Sequence, residues 1–311
     1  MDERRDGSVR EISATGHQTQ VLATELLQRA RRADPTAGLW EAADVQWWSR
    51  RPRRSDEVEK IFWVDDQGPV AGILLTSWGE GPWQCDPVVV PGARGPELER
   101  VWRRAVGQAA KHSSGGFEIP VRDDDQVCSA LAQQAGFATG EHDSTAWMEA
   151  ADRPPRTAPP EGFVVVDRSQ RPDAPHPMRD RNGDGVAQRL DECSLYDPAL
   201  DLAVEAVDGR IVGYSLYWFD PTTKVGLVEP VRVEDEFQRK GLAGTMLREG
   251  VERLTARGAE RVKVSFGSEA AGAVYKSVGF RPMSTATWYV APSTQPQCGM
   301  PPHWNAGFEP S

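Results

Sequence analysis

The stretch that decides the fold is GLVEPVRVEDEFQRKGLAG, residues 226–244. Its first part, up to Val233, is rich in β-forming apolar residues and predicts a strand. The polar residues from Glu234 to Lys240 predict a loop, and a helical pattern follows from Gly241 to about Arg257. The segment therefore predicts a strand, a loop and a long helix in direct succession.

This strand-loop-helix segment has the properties of a phosphate cradle. The start of a helix carries backbone N–H groups without intrahelical partners and the positive end of the helix dipole. Gly241 and the small Ala243 allow an anion to approach this backbone closely, and Arg239 and Lys240 add positive charge. We therefore expect the start of this helix to bind a pyrophosphate.

A second segment, SEAAGAVYKSVGF at residues 268–280, follows at a fitting distance. Together the two segments resemble the GNAT superfamily of acetyl-CoA-dependent N-acyltransferases, over about residues 161–290. Gln238, Gly241 and Ala243 match the family pattern Gln/Arg-x-x-Gly-x-Gly/Ala, and the second segment resembles Asn-x-x-Ala-x-x-Leu-Tyr-x-x-x-Gly-Phe. Ser268 stands in place of the usual asparagine and can still donate and accept a hydrogen bond.

The resemblance implies how this half of the chain binds its cofactor. Acyl-CoA would lie between a strand at 225–233 and a strand at 261–266, and a backbone amide near Val231 to Val233 would polarise the thioester carbonyl. The residues expected to bind acetyl-CoA are Val231, Val233, Gln238, Arg239, Lys240, Gly241, Leu242, Ala243, Gly244 and Ser268.

Two side chains are predicted to be catalytic. Tyr275 matches the family tyrosine that protonates the departing thiolate; the alternative is a core aromatic residue. Glu229 is evenly spaced from Val231 and Val233, so in a regular strand all three would share one face of the sheet. A carboxylate there would deprotonate or anchor an ammonium substrate, and the alternative is a salt-bridged strand residue.

An internal repeat relates the two halves of the chain. QGPVAG at 67–72 parallels DGRIVG at 208–213, AGF at 135–137 parallels VGF at 278–280, and STAW at 144–147 parallels TATW at 285–288. The predicted fold class is α/β (α+β), with two tandem GNAT-like domains that each have a mixed, mostly antiparallel sheet flanked by helices. The predicted ranges are 1–150 and 163–290, with a proline-rich linker at 151–162 and an irregular tail at 291–311.

The first copy is predicted to be degenerate and structural. At its cradle position, Pro96 removes a backbone donor, while Glu97 and Glu99 bring negative charge to the helix start. Ala132 replaces the tyrosine that the second copy has at Tyr275. All three changes oppose an active acyl-CoA site.

Composition excludes several classes of partner. A net charge of −10 disfavours nucleic acid and anionic membranes. The four cysteines show no metal-ligand or disulfide spacing, so no metal site is predicted, and no apolar stretch is long enough to cross a membrane. The N-terminus lacks the apolar region of a signal peptide, so a cytoplasmic location is expected. The basic residues Arg50, Arg51, Arg53 and Arg54 are interpreted as a solvated loop.

These observations predict an N-acyltransferase that moves an acetyl group directly from acetyl-CoA to the amine of a small molecule. The expected assembly is a monomer or homodimer. The five histidines are isolated in sequence and none is assigned as the base. Arg179, Arg181 and Asn182 remain candidates for substrate or interdomain contacts. Two other functions stay open: a protein that binds acyl-CoA without turnover, and a GNAT fold recruited to other chemistry in a biosynthetic pathway.

Overall fold

The computed structural model describes residues 8–113 and 116–292. These residues form two compact units. The first contains residues 8–45, 52–141 and 286–292, and the second contains residues 46–51 and 142–285. The predicted tail at 291–311 lies outside the described residues after Pro292.

Strands and helices alternate along both halves, with short 3-10 turns between several of them. In the N-terminal half the elements are β1 (Arg10–Ala14), α1 (Gly16–Ala33), α2 (Ala42–Trp48), β2 (Lys60–Asp65), β3 (Gly68–Ser77), β4 (Trp83–Val89), α3 (Leu98–His112), β5 (Phe117–Arg122), α4 (Gln126–Gln134) and β6 (Ala138–Glu149). In the C-terminal half they are β7 (Phe163–Asp167), α5 (Arg179–Asn182), α6 (Val186–Asp191), β8 (Asp201–Ala206), β9 (Ile211–Asp220), β10 (Val225–Val233), α7 (Leu242–Ala256), β11 (Arg261–Phe266), α8 (Glu269–Ser277) and β12 (Arg281–Val290).

Each unit has a mostly antiparallel sheet with one parallel pair, as the sequence predicted. The strand order is β1-β2-β3-β4-β5-β12 in the first unit and β6-β11-β10-β9-β8-β7 in the second. The parallel pair is β4 with β5 in the first unit and β10 with β11 in the second. Because parallel strands need a crossover connection, α3 and α7 each lie between the two strands of such a pair in the sequence.

The last strand of each half belongs to the other half's unit. Ser144–Glu149 of β6 pair antiparallel with β11, and Ala286–Val290 of β12 pair antiparallel with β5. The compact units therefore depart from the predicted ranges 1–150 and 163–290 at these strands. The repeated segments STAW and TATW lie in these two strands.

A separate apolar core stabilises each unit. In the first, α3 places Val101, Trp102, Ala105 and Ala109 at helical spacing against the sheet. In the second, α7 buries Leu247, Val251 and Leu254. Truncating one such leucine to alanine typically costs about 2–5 kcal/mol of unfolding free energy.

Close contact between α7 and β9 depends on a glycine. The ring of Tyr217 packs directly over Gly250, and a Cβ at this position would lie 2.0 Å from the ring carbon Cζ. Tyr217 is fully buried, so its ring has no room to move aside. Gly250 therefore sets how near the helix approaches the sheet.

Residues 46–51 of the N-terminal half pack in the second unit, which corrects the prediction of a solvated basic loop. Arg50 is buried; its Nε donates to Asn182 Oδ1 at 2.7 Å, and its guanidinium stacks on Trp47 at 3.7 Å. Gln46 Nε2 donates to Ser194 Oγ at 2.8 Å. In the first unit Arg53 stacks on Trp78 at 4.0 Å, whereas Arg54 is exposed. Stacking on tryptophan rings explains why Arg50 is buried and Arg53 is partly buried.

A membrane span requires a long apolar helix, and a metal site requires several clustered ligand side chains. Among the helices of residues 8–113 and 116–292, none is long and apolar enough to cross a membrane. In the same part of the chain, no group of three or more His, Cys, Asp or Glu side chains has a geometry that could hold a metal ion.

Candidate active site

The candidate site of the second unit opens where two parallel strands separate. Val225, Gly226 and Leu227 of β10 pair with Arg261, Val262 and Lys263 of β11, and the ladder ends there. The opposite edge of β10 stays paired with β9 up to Val233. The result is a V-shaped opening with a β10 edge along one side.

The loop after β10 turns the chain back toward this opening. A 3-10 turn spans Asp235–Phe237, and Gln238 Nε2 donates to Val233 O at 3.3 Å and to Asp235 Oδ1 at 3.0 Å. Gln238 therefore holds the end of the strand to the loop. This contact gives the predicted cofactor residue Gln238 a structural role within the loop.

Left-handed backbone conformations shape the start of α7. Gly241 precedes the helix with φ +81°, a region that favours glycine, and no atom lies within 4 Å of where its Cβ would be. Arg239 also has a positive φ, 59°. The first helical hydrogen bond runs from Thr245 N to Gly241 O at 3.0 Å, so the amides of residues 242–244 precede it.

The cradle region carries exposed positive charge. Arg239, Lys240 and Gly241 are exposed, whereas Leu242 is buried in a small core with Val204, Val212 and Met246. Lys240 Nζ lies 4.5 Å from the centroid of the Phe237 ring. Leu242 thus fixes the helix start from below, and the basic side chains and amides remain on the solvent side.

Glu234 and Glu236, in the acidic loop after β10, form ion pairs with arginines. Glu234 Oε2 lies 3.4 Å from Arg181 Nη2, and Glu236 Oε1 lies 3.3 Å from Arg210 Nη1. Arg232, at the end of β10, lies 3.5 Å from Glu234 Oε1. These contacts reduce the negative charge next to the cradle.

Glu229 is buried in the widened part of β10, with 3% of its surface exposed. Its carbonyl oxygen accepts a hydrogen bond from Trp218 Nε1 at 3.0 Å. A β-bulge interrupts the register with β9 between Val228 and Val231, and the Glu229–Pro230 peptide is cis. Even spacing therefore does not place Glu229 on one face with Val231 and Val233, because the bulge breaks the alternation. Val231 and Val233 pack on the core that contains Leu242.

Tyr275 is buried on α8 between two aromatic rings. Its ring centroid lies 5.6 Å from that of Phe266 and 5.9 Å from that of Phe280. Burial raises the pKa of the Tyr275 phenol well above its usual value, and the negative charge of Glu229 raises it further. The structure thus brings the two predicted catalytic residues into electrostatic contact, with the phenol held protonated.

Ser268 caps α8. Its Oγ accepts a hydrogen bond from Ala271 N at 3.2 Å, which satisfies one of the first amides of the helix. The hydroxyl of Ser268 is therefore engaged locally. Its proposed contact with a cofactor would have to use the remaining lone pair or the hydroxyl proton.

The C-terminal half of the chain is similar to a known protein family. Residues 161–280 match the model of the Acetyltransferase (GNAT) family. Residues 161–280 form a GNAT domain. No curated protein sequence matches the chain.

Solved structures share the fold over most of the chain. A tandem GNAT protein from the clavulanic acid biosynthesis pathway has a TM-score of 0.66 and 15% identity, covering 93% of this chain and 100% of that protein. A GCN5-related N-acetyltransferase from Sphaerobacter thermophilus has a TM-score of 0.57 and 17% identity, covering 90% and 95%. A GCN5-related N-acetyltransferase from Kribbella flavida has a TM-score of 0.52 and 16% identity, covering 72% and 87%. These likenesses establish a tandem GNAT fold.

The GNAT domain contains one buried polar cluster that sequence reasoning missed. His176 Nε2 and Tyr196 Oη each lie 2.8 Å from Asp201 Oδ2, and Met178 N donates to His176 Nδ1 at 3.2 Å. Because Nδ1 accepts, Nε2 carries the proton and donates to Asp201. Both nitrogens of the His176 imidazole therefore form hydrogen bonds within the protein. Spacing in sequence gives no sign of this cluster, because two members come from separate loops and Asp201 begins β8.

The GNAT domain also includes a contribution from outside its sequence range. Arg50 and Gln46 bind residues of the α5–α6 region, and Arg189 Nη1 donates to Ser49 O at 3.1 Å. Of the three open candidates, Asn182 binds Arg50, Arg181 pairs with Glu234, and Arg179 pairs with Asp184. Each therefore has a structural partner.

Proposed function

We propose that the C-terminal unit transfers an acetyl group from acetyl-CoA to the amine of a small molecule. The observation that carries the proposal is the parallel pair β10–β11, which ends at Leu227 and Lys263 and is followed by a helix that starts at a left-handed glycine. A separated strand pair offers room and unpaired edge groups, and the helix start favours a bound diphosphate.

The chain's residues fit such a ligand in three respects. The amides of Leu242, Ala243 and Gly244 precede the first helical hydrogen bond. Arg239 and Lys240 lie exposed beside them. No atom lies within 4 Å of the missing Cβ of Gly241, so the backbone is open to an anion. Acetyl-CoA, when bound, supplies the thioester that the amine attacks.

Glu229 and Tyr275 are proposed to act as the proton acceptor and the proton donor. Glu229 takes a proton from the ammonium substrate, directly or through water, which leaves the amine able to attack. Once Glu229 is neutral, its charge no longer raises the pKa of Tyr275. Tyr275 then donates its proton to the thiolate more readily as the C–S bond breaks. The second proton lost by the amine nitrogen restores the Tyr275 phenol, and Glu229 releases its proton to water. The two proton transfers are therefore coupled through one electrostatic contact.

Calorimetry and a thiol-release assay test the proposal. Acetyl-CoA should bind the full-length protein, and free thiol should appear when amines from a panel of amino sugars, amino acids and polyamines are added. The double charge reversal Arg239→Glu/Lys240→Glu should weaken binding by about tenfold or more, because two cations are replaced by two anions beside a diphosphate. The matched control Arg100→Glu/Arg103→Glu changes net charge equally on an exposed face of α3 and should leave binding unchanged.

Two results would contradict the proposal. No binding heat with acetyl-CoA, together with unchanged behaviour of the cradle variant, would remove the acyl-CoA site. Binding without thiol release for any amine would support the alternative of an acyl-CoA-binding protein. The partners proposed here are one acyl-CoA and one small amine, in a cytoplasmic monomer or homodimer.

A further inference from the structure

A cavity lies in the first unit, at the place that corresponds to the candidate active site of the second. The parallel ladder of β4 and β5 ends at Gln84 and Glu118, and the strands then separate. A cavity of 260 Å³ lies beyond this point. Its lining includes Leu39, Trp40 and Val88, which are apolar or aromatic, and the acidic residue Asp86.

Asp86 is buried and held by neutral donors. Its Oδ1 accepts from Trp40 Nε1 at 2.7 Å, and its Oδ2 accepts from Gln84 Nε2 at 2.8 Å. Gln84 is itself oriented, because its Oε1 accepts from Trp78 Nε1 at 2.9 Å. Among the described residues no cation forms a salt bridge with Asp86. Only 4% of Asp86 is exposed, so solvent does not compensate its charge.

The two cations that line the cavity already have carboxylate partners. Arg31 binds Glu41 through two nitrogens, at 2.6 Å and 3.0 Å. Arg122 binds Asp124, with its Nε 2.9 Å from Asp124 Oδ1. Asp125, which also lines the cavity, caps α4 by accepting from Cys128 N. The cavity therefore has an excess of negative charge.

The shape and charge of this region do not suit acyl-CoA. α3 begins at Leu98 after Glu97 and has Glu99 in its first turn, whereas the helix of the second unit begins after Gly241. Negative charge at a helix start opposes a diphosphate. The cavity is also slightly smaller than the range of about 300–1,000 Å³ typical of sites for drug-sized ligands, so a compact occupant is indicated.

We propose that this cavity binds a small organic monocation, an ammonium group on a compact apolar body, with Asp86 as its counter-ion. The apolar lining removes the hydrocarbon part of such a ligand from water, and the ammonium group supplies the positive charge that Asp86 lacks. The first unit then has a ligand of its own and is more than a structural copy. This inference goes beyond the proposed function, because it requires neither acetyl-CoA nor acyl transfer.

Ionisation of Asp86 supports this assignment. Burial raises the pKa of Asp86 to about 7, while hydrogen bonds from Trp40 and Gln84 lower it and the charge of Asp44 raises it. An alkylammonium stays protonated below about pH 10. Affinity should therefore increase as the pH rises through 7. Other titratable or charged groups near Asp86 include Arg31 from α1, Glu41 just before α2, Asp44 from α2, Cys85 from β4, Glu118 and Arg122 from β5, and Asp125 and Cys128 from the start of α4.

Three probes of equal length test the charge preference. The full-length protein, without acyl-CoA, is titrated calorimetrically with hexylammonium, hexan-1-ol and hexanoate at pH 8.5. Hexylammonium should bind about tenfold or more tightly than hexan-1-ol, because only the ammonium forms an ion pair with Asp86. A tenfold difference in Kd corresponds to about 1.4 kcal/mol of binding free energy. Hexanoate should bind most weakly. Equal binding of hexylammonium and hexan-1-ol, or no heat with any probe, would overturn the proposal.

Paired variants locate the site. Ala37→Trp fills the cavity from a loop residue and should weaken hexylammonium binding at least about tenfold. Ala110→Trp makes the same change on an exposed face of α3 and should have no effect. Asp86→Asn should abolish the preference for the ammonium probe and its dependence on pH. If circular dichroism shows that Asp86→Asn does not fold, the Ala37 and Ala110 pair decides.

The same variants separate this site from the proposed active site. A hexylammonium signal that persists in Ala37→Trp would come from elsewhere in the molecule and would overturn the proposal. Displacement of hexylammonium by coenzyme A in the wild type, with coenzyme A binding itself lost in Ala37→Trp, would show an acyl-CoA site in the cavity and would also overturn it. Failure of acetyl turnover alone would leave these binding results unaffected.

Discussion

Asp86 and Glu229 occupy the same position in the two units. Each follows the last parallel pairing of its strand by two residues, each precedes a proline, and each is buried. Their surroundings differ. Asp86 accepts hydrogen bonds from Trp40 and Gln84, whereas the negative charge of Glu229 raises the pKa of the Tyr275 phenol. One carboxylate position thus occurs in both units, although their helix starts differ in charge. The position of this acid in the strand is therefore independent of the charge at the helix start.

The contact between Glu229 and Tyr275 predicts coupled effects on turnover. Tyr275→Phe removes the proton donor and should lower kcat by about 10²-fold or more, with little change in the KM for acetyl-CoA. Glu229→Gln should lower kcat similarly. In the double variant the two losses should be less than multiplicative, because the residues act in sequence on one reaction. Steady-state thiol release measures all three, and unchanged kcat in Tyr275→Phe would exclude it as the donor.

Gly241 should matter for cofactor binding beyond its effect on stability. Gly241→Ala places a Cβ on a backbone with φ +81° and should cost about 1–2 kcal/mol, while weakening acetyl-CoA binding about tenfold. Gly209 is a matched control, with φ +82° and no atom within 4 Å of a Cβ. Gly209→Ala should destabilise the protein by a similar amount and leave the Kd unchanged. Equal Kd effects in both variants would remove the special role of Gly241.

Two glycines in helices should respond in opposite directions to alanine. Gly250→Ala forces a Cβ against the buried ring of Tyr217 and should destabilise the second unit by about 1–3 kcal/mol. Gly107 lies inside α3 with no atom within 4 Å of a Cβ, so Gly107→Ala should stabilise by about 0.5–1 kcal/mol. Urea unfolding measures both. A stabilising Gly250→Ala would mean that Tyr217 can move away.

Arg50 should contribute to stability although it lies in a basic run. Arg50→Ala removes its hydrogen bond to Asn182 and its stacking on Trp47, and should cost about 2–3 kcal/mol. Arg54 is exposed, and its pair with Glu80 is solvated, so Arg54→Ala should change stability by less than about 0.5–1 kcal/mol. Thermal unfolding compares the two. Similar small effects of Arg50→Ala and Arg54→Ala would support the prediction that the basic residues form a solvated loop.

Asp86 should make the first unit less stable at higher pH. Its pKa is about 7 in the folded protein, above the ordinary value of 3.8 for an aspartate, so the folded state binds the extra proton between these two pH values. The free energy of unfolding should fall as the pH rises from about 4 to about 7, by about 4 kcal/mol at most, and then level off. Asp86→Asn should lack this component of the pH profile. Parallel profiles for the two proteins would show that Asp86 is already ionised at low pH.

Local patterns predicted the elements around Gly241, because periodicity and turn chemistry act over a few residues. β10 and β11 begin and end where the sequence indicated, and α7 begins one residue after Gly241. The Asp208-Gly209 pair, which favours a tight turn, lies between β8 and β9. The resemblance to the GNAT family rested on short motifs that fall in or directly beside the residues matched by the family model.

Predictions that relied on regular geometry or on exposure were less successful. Glu229 was assigned a face by counting along an ideal strand, and a β-bulge breaks that count. Arg50 was interpreted as solvated because charged runs usually are, but Trp47 and Asn182 provide partners. Neither partner can be inferred from neighbouring residues alone.

By itself the sequence determined the repeat, the order of strands and helices, and the helix start at Gly241, since each depends on interactions between near neighbours in the chain. Only the tertiary structure decided which half's sheet each last strand completes, that Asp86 is buried beside a cavity, and that Glu229 lies near enough to raise the pKa of Tyr275. These features depend on hydrogen-bond ladders and desolvation between residues distant in the chain, which local sequence patterns do not specify.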